Sequence, residues 1–153
     1  MKVVAHDPYW SEAFAAEEGI QRVTVAELLE VSDVVSIHAP LTAENKGMID
    51  AAALAAMKSN AILINAARGG CMITADVAAA LASGKLSAVA IDCHNPEPPG
   101  EDYPLFGLDG AILTPHIAAR VPQAMENMSD VVRDIVAVLS GREPEFPAPG
   151  ASQ

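Results

Sequence analysis

Short apolar, β-branched runs alternate with alanine-rich helical stretches along almost the whole chain, and this alternation restricts the fold more than any other feature. A strand, a helix and a second strand of the same sheet make a right-handed crossover, so a chain written this way builds a parallel α/β sheet. Five strands are expected, at Val3–Ala5, Val34–Ile37, Ala61–Ile64, Ala88–Ile91 and Ala111–Leu113. Each is nearly all apolar, as strands covered on both faces are. Helices are expected at Ser11–Glu18, Val25–Glu30, Ala51–Met57, Thr74–Ala82 and, longest, Gln123–Leu139. Asp50 and Thr74 stand where N-cap side chains belong, and Gly19, Gly84 and Gly141 follow helices as stops.

With 51% hydrophobic and 19% charged residues, the 153-residue chain can bury one core of ordinary size. Nine Lys and Arg against twenty Asp and Glu leave a net charge of −11, which repels phosphate backbones and anionic membrane surfaces. Nucleic acid and membrane are therefore not expected as partners, and no apolar run approaches the roughly 18 residues of a membrane span. Cys71 and Cys93 form no Cys-x-x-Cys, and no histidines pair at ligand spacing, so neither a disulfide framework nor a metal site is expected. That usage fits a reducing, cytoplasmic setting. Residues 1–140 read as one domain and 141–153 as an irregular tail rich in proline and glycine. Between the last two strands lies a proline-rich loop, Asn95–Asp109, at a strand C-terminal end, where open α/β sheets bind ligands.

Three motifs carry a resemblance. Asn65-Ala66-Ala67-Arg68-Gly69-Gly70, Ile91-Asp92-Cys93-His94-Asn95-Pro96-Glu97-Pro98 and Leu113-Thr114-Pro115-His116-Ile117, in that order, resemble the NAD-binding domain of D-isomer-specific 2-hydroxyacid dehydrogenases. Asp7-Pro8-Tyr9, Ser36 to Thr42 and Gly47-Met48-Ile49 extend the match from about Val3 to the end of the last helix. The resemblance implies a Rossmann-like, doubly wound parallel sheet, with residues 1–140 as a partial NAD-binding domain. It implies NAD as cofactor and a small 2-keto or 2-hydroxy acid as substrate.

By the same resemblance Arg68, Glu97 and His116 are the catalytic residues. Arg68 would grip the substrate carboxylate with its planar fork and polarise the carbonyl. His116 would give its proton to the carbonyl oxygen as hydride reaches carbon, and Glu97 would hold the other imidazole nitrogen. Asp7 would accept the adenosine ribose hydroxyls and disfavour the extra phosphate of NADP. Asp92 would orient the nicotinamide carboxamide, the backbone of Ala66 and Ala67 would lie against the nicotinamide half, and Ala39 and Pro40 would line the adenine and ribose side. Read singly, each has a plainer role. Asp7 and Asp92 suit turns, Arg68 suits a surface ion pair, Glu97 suits solvent, and a lone histidine is more often structural. His38 reads as structural, and His6 and His94 have no partner visible in the sequence.

The chain also departs from the family pattern. No Gly-x-Gly-x-x-Gly occurs, and Asp7, which follows that loop by about 20 residues in the family, stands almost at the first residue. The first strand and the substrate domain are thus expected to be missing, so that the chain is the C-terminal part of a longer enzyme. In the strand order 3-2-1-4-5-6 the first strand is central, so its loss would leave two blocks of sheet with unpaired edges and poor stability alone. A homodimer, or a complementing N-terminal chain, is the expected partner. Ile73-Thr74 replace a common acidic pair, Cys93-His94-Asn95 replace Val-Phe-Glu, and Arg120 adds a cation that would favour a second acidic group on the substrate. Two other readings stay open: a non-catalytic NAD(H)-binding interaction module resembling the C-terminal-binding-protein corepressors, and an inactive truncated product.

Overall fold

The computed structural model describes residues 1–147, which fall into two compact units, Met1–His116 and the part of Ile117–Gln153 that is described. The first unit runs β1 (Val4–Ala5), α1 (Glu12–Glu18), β2 (Gln21–Arg22), α2 (Val25–Val31), β3 (Val34–Ile37), α3 (Ala51–Ala56), β4 (Ala61–Asn65), a 3-10 turn at Gly69–Cys71, α4 (Thr74–Ala82), β5 (Leu86–Ile91) and β6 (Ala111–Leu113). All pairings are parallel. They form two blocks, β1–β2 and β3–β4–β5–β6, as expected of a doubly wound sheet without its central strand.

One strand escaped the sequence reading. Gln21–Arg22 is polar and exposed, and it is a strand because its backbone pairs with β1, Gln21 N–H donating to the Val3 carbonyl and Val23 N–H to that of Ala5. A hydrophobic pattern cannot reveal a strand that buries nothing. The expectation of strands covered on both faces also needs correcting. It suits β4 best, whereas β3 and β6 leave one face open, with Val34 and Ile112 exposed.

Leu63, Ile91 and Val89 of the sheet, Leu54 and Met57 at α3, Val77 and Leu81 of α4, and Tyr103 and Leu105 of the proline-rich loop belong to one buried cluster. Each fully buried aliphatic side chain contributes about 1.5–3 kcal/mol through area removed from water. The helices start where their caps say. Ser11 Oγ accepts the Phe14 N–H, Asp50 Oδ1 accepts that of Ala53, and Thr24 with Glu27 forms a reciprocal capping box. Thr74, however, is not a cap. It is the first helical residue of α4 behind an N-cap Ile73 that offers no side-chain bond, and Asp76 in that first turn accepts the Ala51 N–H at 2.9 Å, tying the starts of α3 and α4 together.

In the second unit the single helix expected over Gln123–Leu139 is two, α5 (Pro122–Ser129) and α6 (Val131–Leu139). The break has a local cause. Ser129 Oγ donates to the Met125 carbonyl, Asp130 N–H is shared between the carbonyls of Glu126 and Asn127, and Arg133 N–H reaches back only three residues to Asp130. Asp134 then accepts the N–H groups of Glu145 and Phe146, so the irregular tail begins as a turn against α6. Residues 148–153 of that tail lie outside the described residues. Among the described residues no helix is long and apolar enough to cross a membrane, and no group of three or more His, Cys, Asp or Glu could hold a metal ion.

Candidate active site

Because β3 to β6 are parallel, their C-terminal ends lie along one edge of the sheet, and the loops that leave them carry the polar residues. β4 ends in Asn65, the one polar residue of an otherwise apolar strand, and it is completely buried. Its Oδ1 accepts the Ala67 N–H at 3.1 Å, its Nδ2 donates to the Arg68 carbonyl at 2.9 Å, and its own carbonyl accepts the Asp92 N–H at 2.9 Å. One amide thus shapes the loop that presents Arg68. Arg68 as a residue is exposed, and its Nη1 donates to the Ala67 carbonyl at 2.6 Å.

Gly69 shows how tightly this loop meets the next one. A Cβ placed on it would lie 2.2 Å from both the carbonyl carbon and oxygen of His94, closer than any side chain can sit. On the neighbouring loop Asp92 is largely buried, and its Oδ1 accepts the Thr114 hydroxyl while its carbonyl accepts the His116 N–H at 2.9 Å. Cys93 is buried as well. Burial pushes its thiol pKa up, the charges of Asp92 and Glu97 add to that, and the Arg68 guanidinium opposes them. Arg68, Asp92 and Glu97 are therefore electrostatic neighbours of one sulfur.

His116 and Glu97 meet directly, Nδ1 to Oε1 at 2.9 Å, with both side chains partly open to solvent. The contact fixes which ring nitrogen faces the carboxylate and turns Nε2, on the opposite side of the ring, away from it. His116 holds a left-handed backbone, φ +53°, a conformation that costs energy for a residue with a Cβ and that collects at functional sites.

The remaining expected residues lie on other loops. Asp7 follows β1 in the smaller sheet, exposed, with Oδ1 accepting the Tyr9 N–H at 2.7 Å. Ala39 and Pro40 follow β3 in a loop drawn together by Asn45, whose side chain donates to the Pro40 carbonyl and accepts from Thr42 N–H. Ala66 is exposed and Ala67 buried. His6 and His38 meet the Val23 carbonyl and the Ser36 hydroxyl. Sequence reasoning missed three contributors, Asn65, His94 and Thr114. The polar end of an apolar strand was a signal for the first; the other two stand inside the quoted motifs, and what those motifs did not show is which partners they take.

The sequence pattern of the D-isomer specific 2-hydroxyacid dehydrogenase NAD binding domain matches residues 1–118. The chain is 39% identical over 142 residues to a D-3-phosphoglycerate dehydrogenase of Archaeoglobus fulgidus, a match that covers 92% of this chain and 27% of that protein. A (S)-sulfolactate dehydrogenase of Chromohalobacter salexigens is 39% identical over 137 residues, 89% of this chain and 44% of its own length. In structure, the chain superposes on the holo form of D-mandelate dehydrogenase from Rhodotorula graminis with a TM-score of 0.88 at 31% identity, covering 97% of this chain and 44% of that one. For D-lactate dehydrogenase with NAD+ from Lactobacillus jensenii the TM-score is 0.86 at 29% identity, with 96% and 48% covered. The chain thus spans between about a quarter and a half of these relatives, and it belongs to the NAD-binding-domain family of the D-isomer-specific 2-hydroxyacid dehydrogenases.

Proposed function

We propose that this chain carries the cofactor-binding and proton-transfer half of an NAD-dependent dehydrogenase that interconverts a D-2-hydroxy acid and its 2-keto acid. The observation that supports this most is the Glu97–His116 pair at 2.9 Å, held on the same sheet edge as the Arg68 loop. NAD, when bound, supplies or accepts the hydride. Its fit is favoured by Asp7, an exposed carboxylate beyond a parallel strand whose Oδ1 is oriented by the Tyr9 N–H, as a ribose-binding acid requires.

In the reduction direction His116 gives the proton on Nε2 to the substrate's carbonyl oxygen, and Glu97, bonded at Nδ1, keeps the ring from turning. Arg68 holds the substrate carboxylate through two parallel N–H bonds and draws charge from the adjacent carbonyl. Asp92 orients the cofactor's carboxamide, the backbone of Ala66 and Ala67 supports the nicotinamide half, and Ala39 and Pro40 line the adenosine side. Residues 1–140 act as this partial NAD-binding domain and 141–153 as a tail. The substrate is a small 2-keto or 2-hydroxy acid, the partner a second copy or a chain that supplies a substrate domain, and the setting cytoplasmic.

The test is NADH fluorescence titration of the purified chain followed by an absorbance assay with a panel of 2-keto acids. Saturable binding that Asp7→Ala weakens, and turnover that His116→Gln lowers by about 10²–10⁴-fold, are expected. A folded chain that leaves NADH fluorescence unchanged overturns the proposal, and NADH binding without turnover of any acid turns it toward the interaction-module reading.

A further inference from the structure

His94 lies where the three loops of the candidate site meet, and no partner for it is visible in the sequence. It is buried, only 7% exposed, directly after Asp92 and Cys93. Its Nε2 lies 2.9 Å from the Thr114 carbonyl and its Nδ1 lies 3.2 Å from the Tyr103 hydroxyl, with the Tyr103 ring edge-on at 5.2 Å. A carbonyl oxygen has only lone pairs to offer, so Nε2 must carry the hydrogen. In the neutral ring Nδ1 then accepts from the Tyr103 O–H. Burial raises the Tyr103 pKa and keeps that hydroxyl a donor, a contact from Thr74 acting the other way.

From this we infer that His94 is a positioning residue that sets the separation of Glu97 and His116. Its backbone runs on to Glu97 three residues later, and its ring holds Thr114, two residues before His116. Asp92 anchors the same turn by the Thr114 hydroxyl and the His116 N–H, which leaves the Thr114 carbonyl to be fixed by His94. The His94 main chain also abuts Gly69, beside Arg68. A phenylalanine at this position would fill the space but remove the donor to the Thr114 carbonyl and the acceptor of the Tyr103 hydroxyl, which keeps its contact with Thr74. The turn that holds His116 at φ +53° would then lose one of its restraints.

The consequence for catalysis rests on the dehydrogenase reading, but the contact itself is read without turnover. Two-bond 1H–15N spectra of the 15N-labelled chain report the tautomer of each histidine ring. His94 is expected as the Nε2–H form and neutral His116 as the Nδ1–H form, which a second proton on Nε2 turns into the acid of the reduction step. His94→Phe is expected to move the His116 ring nitrogens to tautomer-averaged shifts. His94→Gln, whose amide offers an N–H to Thr114 and an oxygen to Tyr103, is expected to restore them. Unchanged His116 shifts in a folded His94→Phe overturn the inference. So does an Nδ1–H form of His94 in the unsubstituted chain, a result that needs no variant to fold. If the unsubstituted chain reduces 2-keto acids, His94→Phe is expected to lower kcat and leave KM unchanged, with His94→Gln recovering it. Absence of turnover counts against the dehydrogenase reading alone, and the ring spectra still decide the role of His94.

Discussion

The backbone N–H of His116 donates to the carbonyl of Asp92 at 2.9 Å, so the histidine is tied to the end of the neighbouring strand by main chain and not only by its ring. The Thr114 hydroxyl, donated to Asp92 Oδ1, secures the other end of the same three-residue turn. Thr114→Val, which keeps the shape and removes the donor, is expected to cost about 1.5–3 kcal/mol, the worth of a hydrogen bond to a charged group. Thr114→Ser should recover most of it, and urea denaturation of the three proteins measures both.

Gly69 and Gly100 make a matched pair. A methyl group on Gly69 runs into the His94 backbone at 2.2 Å, whereas on Gly100 it meets only the mobile carboxylate end of Asp102 at 3.0 Å. Gly69→Ala is therefore expected to destabilise by about 1–3 kcal/mol or more through forced separation of two loops. Gly100→Ala should melt close to the unsubstituted chain. Equal melting temperatures for the two variants would contradict this close contact of Gly69 with the His94 backbone.

Asn65→Leu tests whether a buried amide shapes the arginine loop. Leucine fits the volume but strands the Ala67 N–H and the Arg68 carbonyl, at about 1–3 kcal/mol for each. Denaturation should show that loss, and hydrogen exchange at the Ala67 amide should accelerate in the variant.

Glu27 makes the stability of the chain depend slightly on acid. The Thr24 backbone N–H and hydroxyl both donate to its carboxylate and hold its pKa below the ordinary 4.5. A depressed carboxyl stabilises the fold above its unfolded pKa and loses that contribution as pH falls through the folded value. The stability advantage over Glu27→Gln should therefore be full above about pH 5 and shrink as acid is added, which paired melting curves at stepped pH would follow.

Cys71 and Cys93 are both buried, and desolvation raises both thiol pKa values. Iodoacetamide at mildly alkaline pH should modify neither in the folded chain and both in denaturant. Mass spectrometry of the two reactions checks it; rapid labelling of native Cys93 would show that the loop between β5 and β6 opens.

The alternation of apolar runs and helices was enough to identify the parallel sheet, since a strand, a helix and a second strand of one sheet make a crossover of one hand. Asp50 could be read as a cap because it acts within three residues of itself, whereas Ser11 and Thr24 went unread and Thr74 turned out to lie one residue inside its helix. Arg68, Glu97 and His116 are candidates only through the resemblance of their motifs to the family, since read singly each suits a plainer role. What only the tertiary structure decided is how those motifs meet. β2 exists because β1 lies beside it, and His94 finds Tyr103 and Thr114 across 9 and 20 residues of chain. Hydrogen bonds between distant loops depend on the closed packing of strand ends, and no local pattern of residues encodes which carbonyl a buried imidazole will face.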